Sequence, residues 1–195
     1  MRAFPFLLFV AALSPESLVE DLRRQGAVSV KVHRVQLDAD PALEAVVQYE
    51  LPGSGVHAQV LDESAGGWRS AGKFNSWWNY VPADADRFLE FRETVDAGVQ
   101  DVIVRRREGG TEDSRTLLEI FRLRNGAMVN VLSLKEQDTA MEHPSGDVFT
   151  TSSHVAFARG RVTVNYMRMP GGMKRCVVYS WSAKEFRFIE SGCSA

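Results

Sequence analysis

The 195-residue chain has only two cysteines, Cys176 and Cys193, no excess of basic charge, and no apolar run long enough to cross a bilayer as a helix. Each shortage excludes a class. A spanning helix needs about 20 apolar residues, and the longest apolar stretch, residues 3–13, falls well short. A net charge of -2 and a pI near 6.1 leave no general attraction for nucleic acid or anionic lipid. The single basic run, Arg105-Arg106-Arg107, is offset by Glu108 and Glu112 and reads as a solvated strand end. His33, His57, His143 and His154 form no recognised metal spacing. Ser152-Ser153-His154 has no Gly-x-Ser-x-Gly elbow, and neighbours on a strand point to opposite faces, which argues against a hydrolytic triad.

With 45% hydrophobic and 25% charged residues the chain has the profile of a globular domain able to bury a core. Arg2 followed by the apolar residues 3–13, with small residues at Val10-Ala11-Ala12, is expected to be a secretory leader over residues 1–13; its rival is a buried N-terminal strand. No cysteine follows the apolar run, so a lipoprotein anchor is not expected. A periplasmic or secreted location suits a Cys176–Cys193 disulfide, whose rival is two reduced core thiols.

Past the leader, Ser14-Pro15-Glu16 predicts a short capped helix ending at Gly26, with Leu18, Val19 and Leu22 as a stripe that docks on a sheet. From Ala27 the apolar period becomes two. Hairpin turns at Gly66-Gly67, Asn125-Gly126 and Ala183-Lys184 recur at spacings of about 59 and about 58 residues, each between strand-like runs. The expected fold is all-β: one domain over 14–195 of three consecutive four-stranded antiparallel meanders, propeller-like, in units of about 27–76, 87–134 and 148–193. Residues 79–86 and 135–147 are the expected connectors. In the middle unit apolar residues fall on both faces of the 115–124 strand, as in a sheet stacked between two neighbours.

In the third unit a two-residue turn at Gly171-Gly172 would set Val162 opposite Trp181, Val164 opposite Tyr179 and Tyr166 opposite Val177. A two-residue turn at Ala183-Lys184 would pair Trp181 with Phe186 and Tyr179 with Phe188. Continued, that register puts Cys176 opposite Ser191, with Cys193 two residues further on the same face.

The stretch Val35-Gln36-Leu37-Asp38-Ala39-Asp40-Pro41-Ala42-Leu43-Glu44-Ala45-Val46-Val47 joins two apolar strands through an acidic loop, and it resembles the first hairpin of the FG-GAP/VCBS type of repeat. Residues 94–98 and 156–160 occupy the equivalent place with the acids eroded. The resemblance implies propeller-type blades in an extracellular protein and calcium on the acidic loop. Asp38, Asp40 and Glu44 are the implied ligands, Ala42 stands where another oxygen donor would be expected, and the loop lacks the glycine of a tight calcium turn. An acidic turn that hydrogen-bonds its own amides is the alternative reading.

Trp77-Trp78-Asn79-Tyr80 is the densest aromatic cluster, and Trp77, Trp78 and Tyr80 are the candidate contact surface for an unknown protein or carbohydrate ligand, with packing between sheets as the rival. Glu90, Glu93, Asp96 and Glu119 raise a paired-acid carbohydrate hydrolase, but nearby arginines make cross-strand ion pairs the simpler account. Met167, Met169 and Met173 read as packing around a hairpin. The expected role is a non-catalytic binding or interaction module; the alternatives are that hydrolase and a structural accessory or inhibitor protein.

Overall fold

The structure is a computed structural model that describes residues 13–64, 66–76, 87–109, 113–142 and 147–193. Helix α1, Pro15–Arg24, begins where Pro15 fits the first turn and where Ser14 and Ser17 satisfy one another's backbone amides reciprocally. It ends at Gly26, whose φ of 85° a side chain would strain. Alternating apolar residues then build the strands. β1 (Val28–Val35), β2 (Glu44–Leu51), β3 (Gly55–Ser64) and β4 (Gly67–Asn75) form one antiparallel sheet in chain order. β5 (Leu89–Arg92), β6 (Asp101–Gly109), β7 (Ser114–Arg124), β8 (Ala127–Glu142), β9 (Asp147–Ala158), β10 (Arg161–Met169), β11 (Met173–Ser182) and β12 (Arg187–Glu190) form a second, again in chain order.

Among the described residues the twelve strands thus divide into sheets of four and eight, not into three separate meanders, and no closed propeller forms. The cause lies in residues 135–142, expected as connector. Their mostly polar side chains show no apolar period, but their backbone completes β8. It pairs with β7 on one side and with β9 on the other, from Gln137 opposite Ser152 to Glu142 opposite Asp147. Backbone pairing here overrides the missing side-chain signal.

Two cores lie on opposite faces of β6 and β7. Val46, Ala58 and Val60 of the four-stranded sheet join Val102 and Val104 in the first core, between that sheet and β5–β7. Ile103, Leu118 and Ile120 turn the other way and meet Val162, Val164 and Phe188 in the second. The larger sheet therefore folds over itself, and its β6–β7 portion is covered on both sides, as the two-faced apolar pattern predicts. Full burial of each large side chain contributes on the order of 1.5–3 kcal/mol. On the outer face of the first sheet Ala45, Val47 and Leu61 are buried, and α1 packs against β1 and β2 through its buried Leu22.

Hairpin geometry adjusts the expected register, and in the last two hairpins it does so without changing which face a residue occupies. Asn125-Gly126 closes β7–β8 with Arg124 opposite Ala127, both turn residues at positive φ. The first turn closes one residue earlier than expected, with Ser64 opposite Gly67. Ahead of β11, Arg168 pairs with Met173, so Val162 faces Tyr179 and Val164 faces Val177. At the last hairpin Ser182 pairs with Arg187, so Trp181 faces Phe188 and Tyr179 faces Glu190. Both loops exceed two residues, and each correction slides the pairing by two positions. An even slip keeps every side chain on its face. Continued beyond Tyr179 and Glu190, the observed register brings Cys193 opposite Cys176, and the pair forms a disulfide with a Cα–Cα distance of 5.9 Å. Among the described residues no helix is long and apolar enough to cross a membrane.

Candidate functional site

Two loops at one end of the stack are closed by buried carboxylates. Glu44, the first residue of β2, accepts the Leu37 amide N–H on Oε2 at 2.6 Å. Asp101, the first residue of β6, accepts the Thr94 amide N–H on Oδ2 at 3.3 Å and the Thr94 hydroxyl as well. In each case acceptor and donor are 7 residues apart. The pleat turns each acid toward the next layer: Glu44 shares its face with Val46, and Asp101 shares its face with Ile103. Backbone bonds link these loops in series, from Gln100 N–H to the Gln36 carbonyl at 2.7 Å and from Gly160 N–H to the Thr94 carbonyl at 2.7 Å. The corresponding first residue of β10 is Arg161, which is exposed.

Counter-charge separates the two acids. Arg122, 7% exposed, lies with Nε 3.2 Å from Asp101 Oδ1 and Nη2 2.7 Å from Asp96, its guanidinium 5.1 Å from the Trp181 ring centre. Burial pushes the Asp101 carboxyl up to about 6, against the opposing pull of the Thr94 hydrogen bonds and the Arg122 charge. Glu44 has no such neighbour among the described residues. It is fully buried, its Oε1 has no partner among them, and burial pushes its carboxyl up to about 7, with the charges of Asp38 and Asp40 adding to the rise against the Leu37 N–H.

Asp62 of β3 completes this group. It sits one residue beyond the pairing of Ala45 with Leu61, so the sheet brings it beside Glu44, and ligand oxygens of Asp38, Glu44 and Asp62 all lie within 4.8 Å of one another. Asp62 Oδ2 is held by Arg69 Nε at 2.8 Å. Of the three residues read from the loop, Asp38 and Glu44 come together and Asp40 stays outside. Asp40 is exposed and accepts the Ala42 N–H at 2.8 Å, while Asp38 Oδ1 accepts the Asp40 N–H at 2.9 Å, the self-capping expected of an acidic turn. Three carboxylates with no nitrogen or sulfur donor in the group suit a hard cation of the calcium or magnesium class. The orphaned Glu44 oxygen is the feature that such an ion would satisfy. Asp62 is remote from the loop in sequence, and only the β2–β3 register, readable from the apolar alternation around Val46 and Val60, points to it.

The remaining candidates fall elsewhere. Trp77, Trp78 and Tyr80 lie outside the described residues. Glu90 pairs with Arg92 and Arg105, Glu93 with Arg159, Asp96 with Arg122 and Glu119 with Arg106, so each carboxylate of the paired-acid reading has an arginine partner. His33 lies against Phe91 and His57 stacks on Tyr49, and burial lowers the pKa of both imidazoles. No protein-family model, curated protein or solved structure matches the chain.

Proposed function

We propose that this chain is an exported, non-catalytic binding or interaction module whose β1–β2 loop is organised by a divalent cation, calcium by class, held by Asp38, Glu44 and Asp62. The observation that carries the reading is the fully buried Glu44, its Oε1 unpartnered among the described residues, beside two further carboxylates. A bound ion supplies positive charge to that cluster and ties the loop to β3. The likeness of residues 35–47 to an FG-GAP/VCBS hairpin supports the choice of calcium, and the Cys176–Cys193 bridge supports an oxidising compartment. Arginine-paired acids across the larger sheet favour a structural role for those carboxylates over the hydrolase alternative.

Calorimetric titration of calcium into EDTA-stripped protein is the test. One ion per chain is expected. At a hundredfold excess of calcium over Kd the stabilisation is about 2.7 kcal/mol, which raises Tm by roughly 5–10 °C for a domain of this size. Absence of both heat and Tm change at millimolar calcium refutes the reading.

A further inference from the structure

Among the described residues, the outward face of β9–β12 is free of acids. These strands contain only two, Asp147 and Glu190, and the register places both on the core-side face, with Phe149 and Tyr179 respectively. The outward face carries Arg161, Lys174 and Arg187 among small side chains such as Ser152, Ala156 and Thr163. In a chain of net charge -2 this is a local reversal of sign.

A depression of about 580 Å³ opens on this face. Its rim is built by Ser152 and His154 of β9, Asn165 and Met167 of β10, and Lys174 and Cys176 of β11. These residues share the outward face, because Ser152 pairs with Met167 and Met167 with Lys174, while His154 pairs with Asn165 and Asn165 with Cys176. Between the two rows lie the paired residues Ser153, Tyr166 and Arg175, whose side chains turn to the other face and leave backbone as the floor. Three strands and two residues of rise make a footprint of roughly 10 by 7 Å. The Cys176–Cys193 disulfide braces one side of it.

We propose that this depression binds a sugar acid, a uronate either free or within a glycan. One ammonium, Lys174, matches one carboxylate, whereas a phosphate cluster is normally met by several cations. Ser152, His154 and Asn165 supply hydrogen-bonding groups for ring hydroxyls, and Met167, 42% exposed, supplies an apolar contact for a ring face. The footprint admits one or two rings. This names the ligand class of the binding-module reading and rests on it, but it involves no residue of the cation site.

Amide-resolved NMR titration tests it, run in EDTA so that the outcome is independent of calcium. Galacturonate is expected to shift the amides of residues 152–154, 165–167 and 174–176, galactose to bind at least tenfold more weakly, and Lys174→Gln to reduce galacturonate binding to the galactose level. Trigalacturonate binding tenfold tighter than the monomer assigns the site to a glycan; equal affinity assigns it to the free sugar acid. Galacturonate that shifts none of these amides, or binds Lys174→Gln as well as the parent, overturns the proposal. So does an acidic hexapeptide that shifts them when neither uronate does. A folded Lys174→Gln spectrum away from the face shows that any loss is local.

Discussion

The loops before β2 and β6 do the same backbone work with opposite electrostatic provision. Each is closed by an acid at the first position of the second strand, accepting an amide N–H from 7 residues earlier. Asp101 has the Arg122 guanidinium folded into the chain as its counter-ion. Glu44 has two other acids beside it, and the guanidinium of Arg69 is committed to Asp62 Oδ2. Asp101 draws its counter-charge from Arg122 on the neighbouring strand β7, although Asp101 Oδ1 and Arg122 Nη1 accept or donate no hydrogen bond among the described residues; Glu44 meets the acid Asp62 on its neighbouring strand β3, and its Oε1 has neither a hydrogen bond nor a counter-charge among them. The third equivalent position, Arg161, faces solvent and needs neither. The repeated element is thus the carboxylate staple, and the cation is the variable part.

The largest effect should come from removing the built-in cation. Arg122→Met leaves Asp101 and its surroundings with an unpaired buried charge, and urea unfolding at pH 7 should show a loss of about 3–5 kcal/mol. A loss below about 1 kcal/mol breaks the claim that Arg122 supplies the counter-charge of this loop. Glu44→Gln should act in the opposite direction in EDTA. The amide still accepts the Leu37 N–H but carries no charge, so the variant should be more stable than the parent at pH 8, by up to about 3 kcal/mol for a carboxyl raised from 4.5 to about 7.

The pH profile sharpens the same contrast. A carboxyl whose folded pKa is raised stabilises the fold fully below its unfolded value, and that contribution is lost as pH climbs through the folded value. EDTA-treated parent protein should therefore lose stability relative to Glu44→Gln between about pH 4.5 and pH 7, with the difference levelling off above that range. A difference that is flat with pH contradicts the buried, uncompensated state of Glu44. The smallest effect is expected for Thr94→Val, which removes the hydroxyl donated to Asp101 but keeps the amide, at a cost of about 1–2 kcal/mol by urea unfolding.

Facial assignment is legible in the sequence; position along the strand is less so. Val162, Val164, Tyr179, Trp181 and Phe188 occupy the core-side face as their alternation predicts, yet the loops after Met169 and Ser182 slide the partners by two. Alternation reports parity, and an even slip leaves parity intact. Gly171-Gly172 mimics a tight turn, whereas the observed loop uses Met169 to Gly172 between its last paired residues. Asn125-Gly126 closes as expected because both of its residues adopt the positive φ that a two-residue hairpin demands. The second half of β8 is not legible, since its side chains are mostly polar without an apolar period and only backbone pairing to β7 and β9 makes it a strand. For the site, local sequence points to Asp38 and Glu44, but Asp62 enters through sheet register, which no loop motif encodes.

Counting the protons released when calcium binds at pH 7, by calorimetry in buffers of different ionisation enthalpy, bears most directly on the idea that Glu44 awaits a cation. With its carboxyl near 7, about half a proton should leave per calcium bound, falling toward zero at pH 9 and absent in Glu44→Gln. Calcium uptake at pH 7 without proton release, or undiminished uptake by Glu44→Gln, would contradict it.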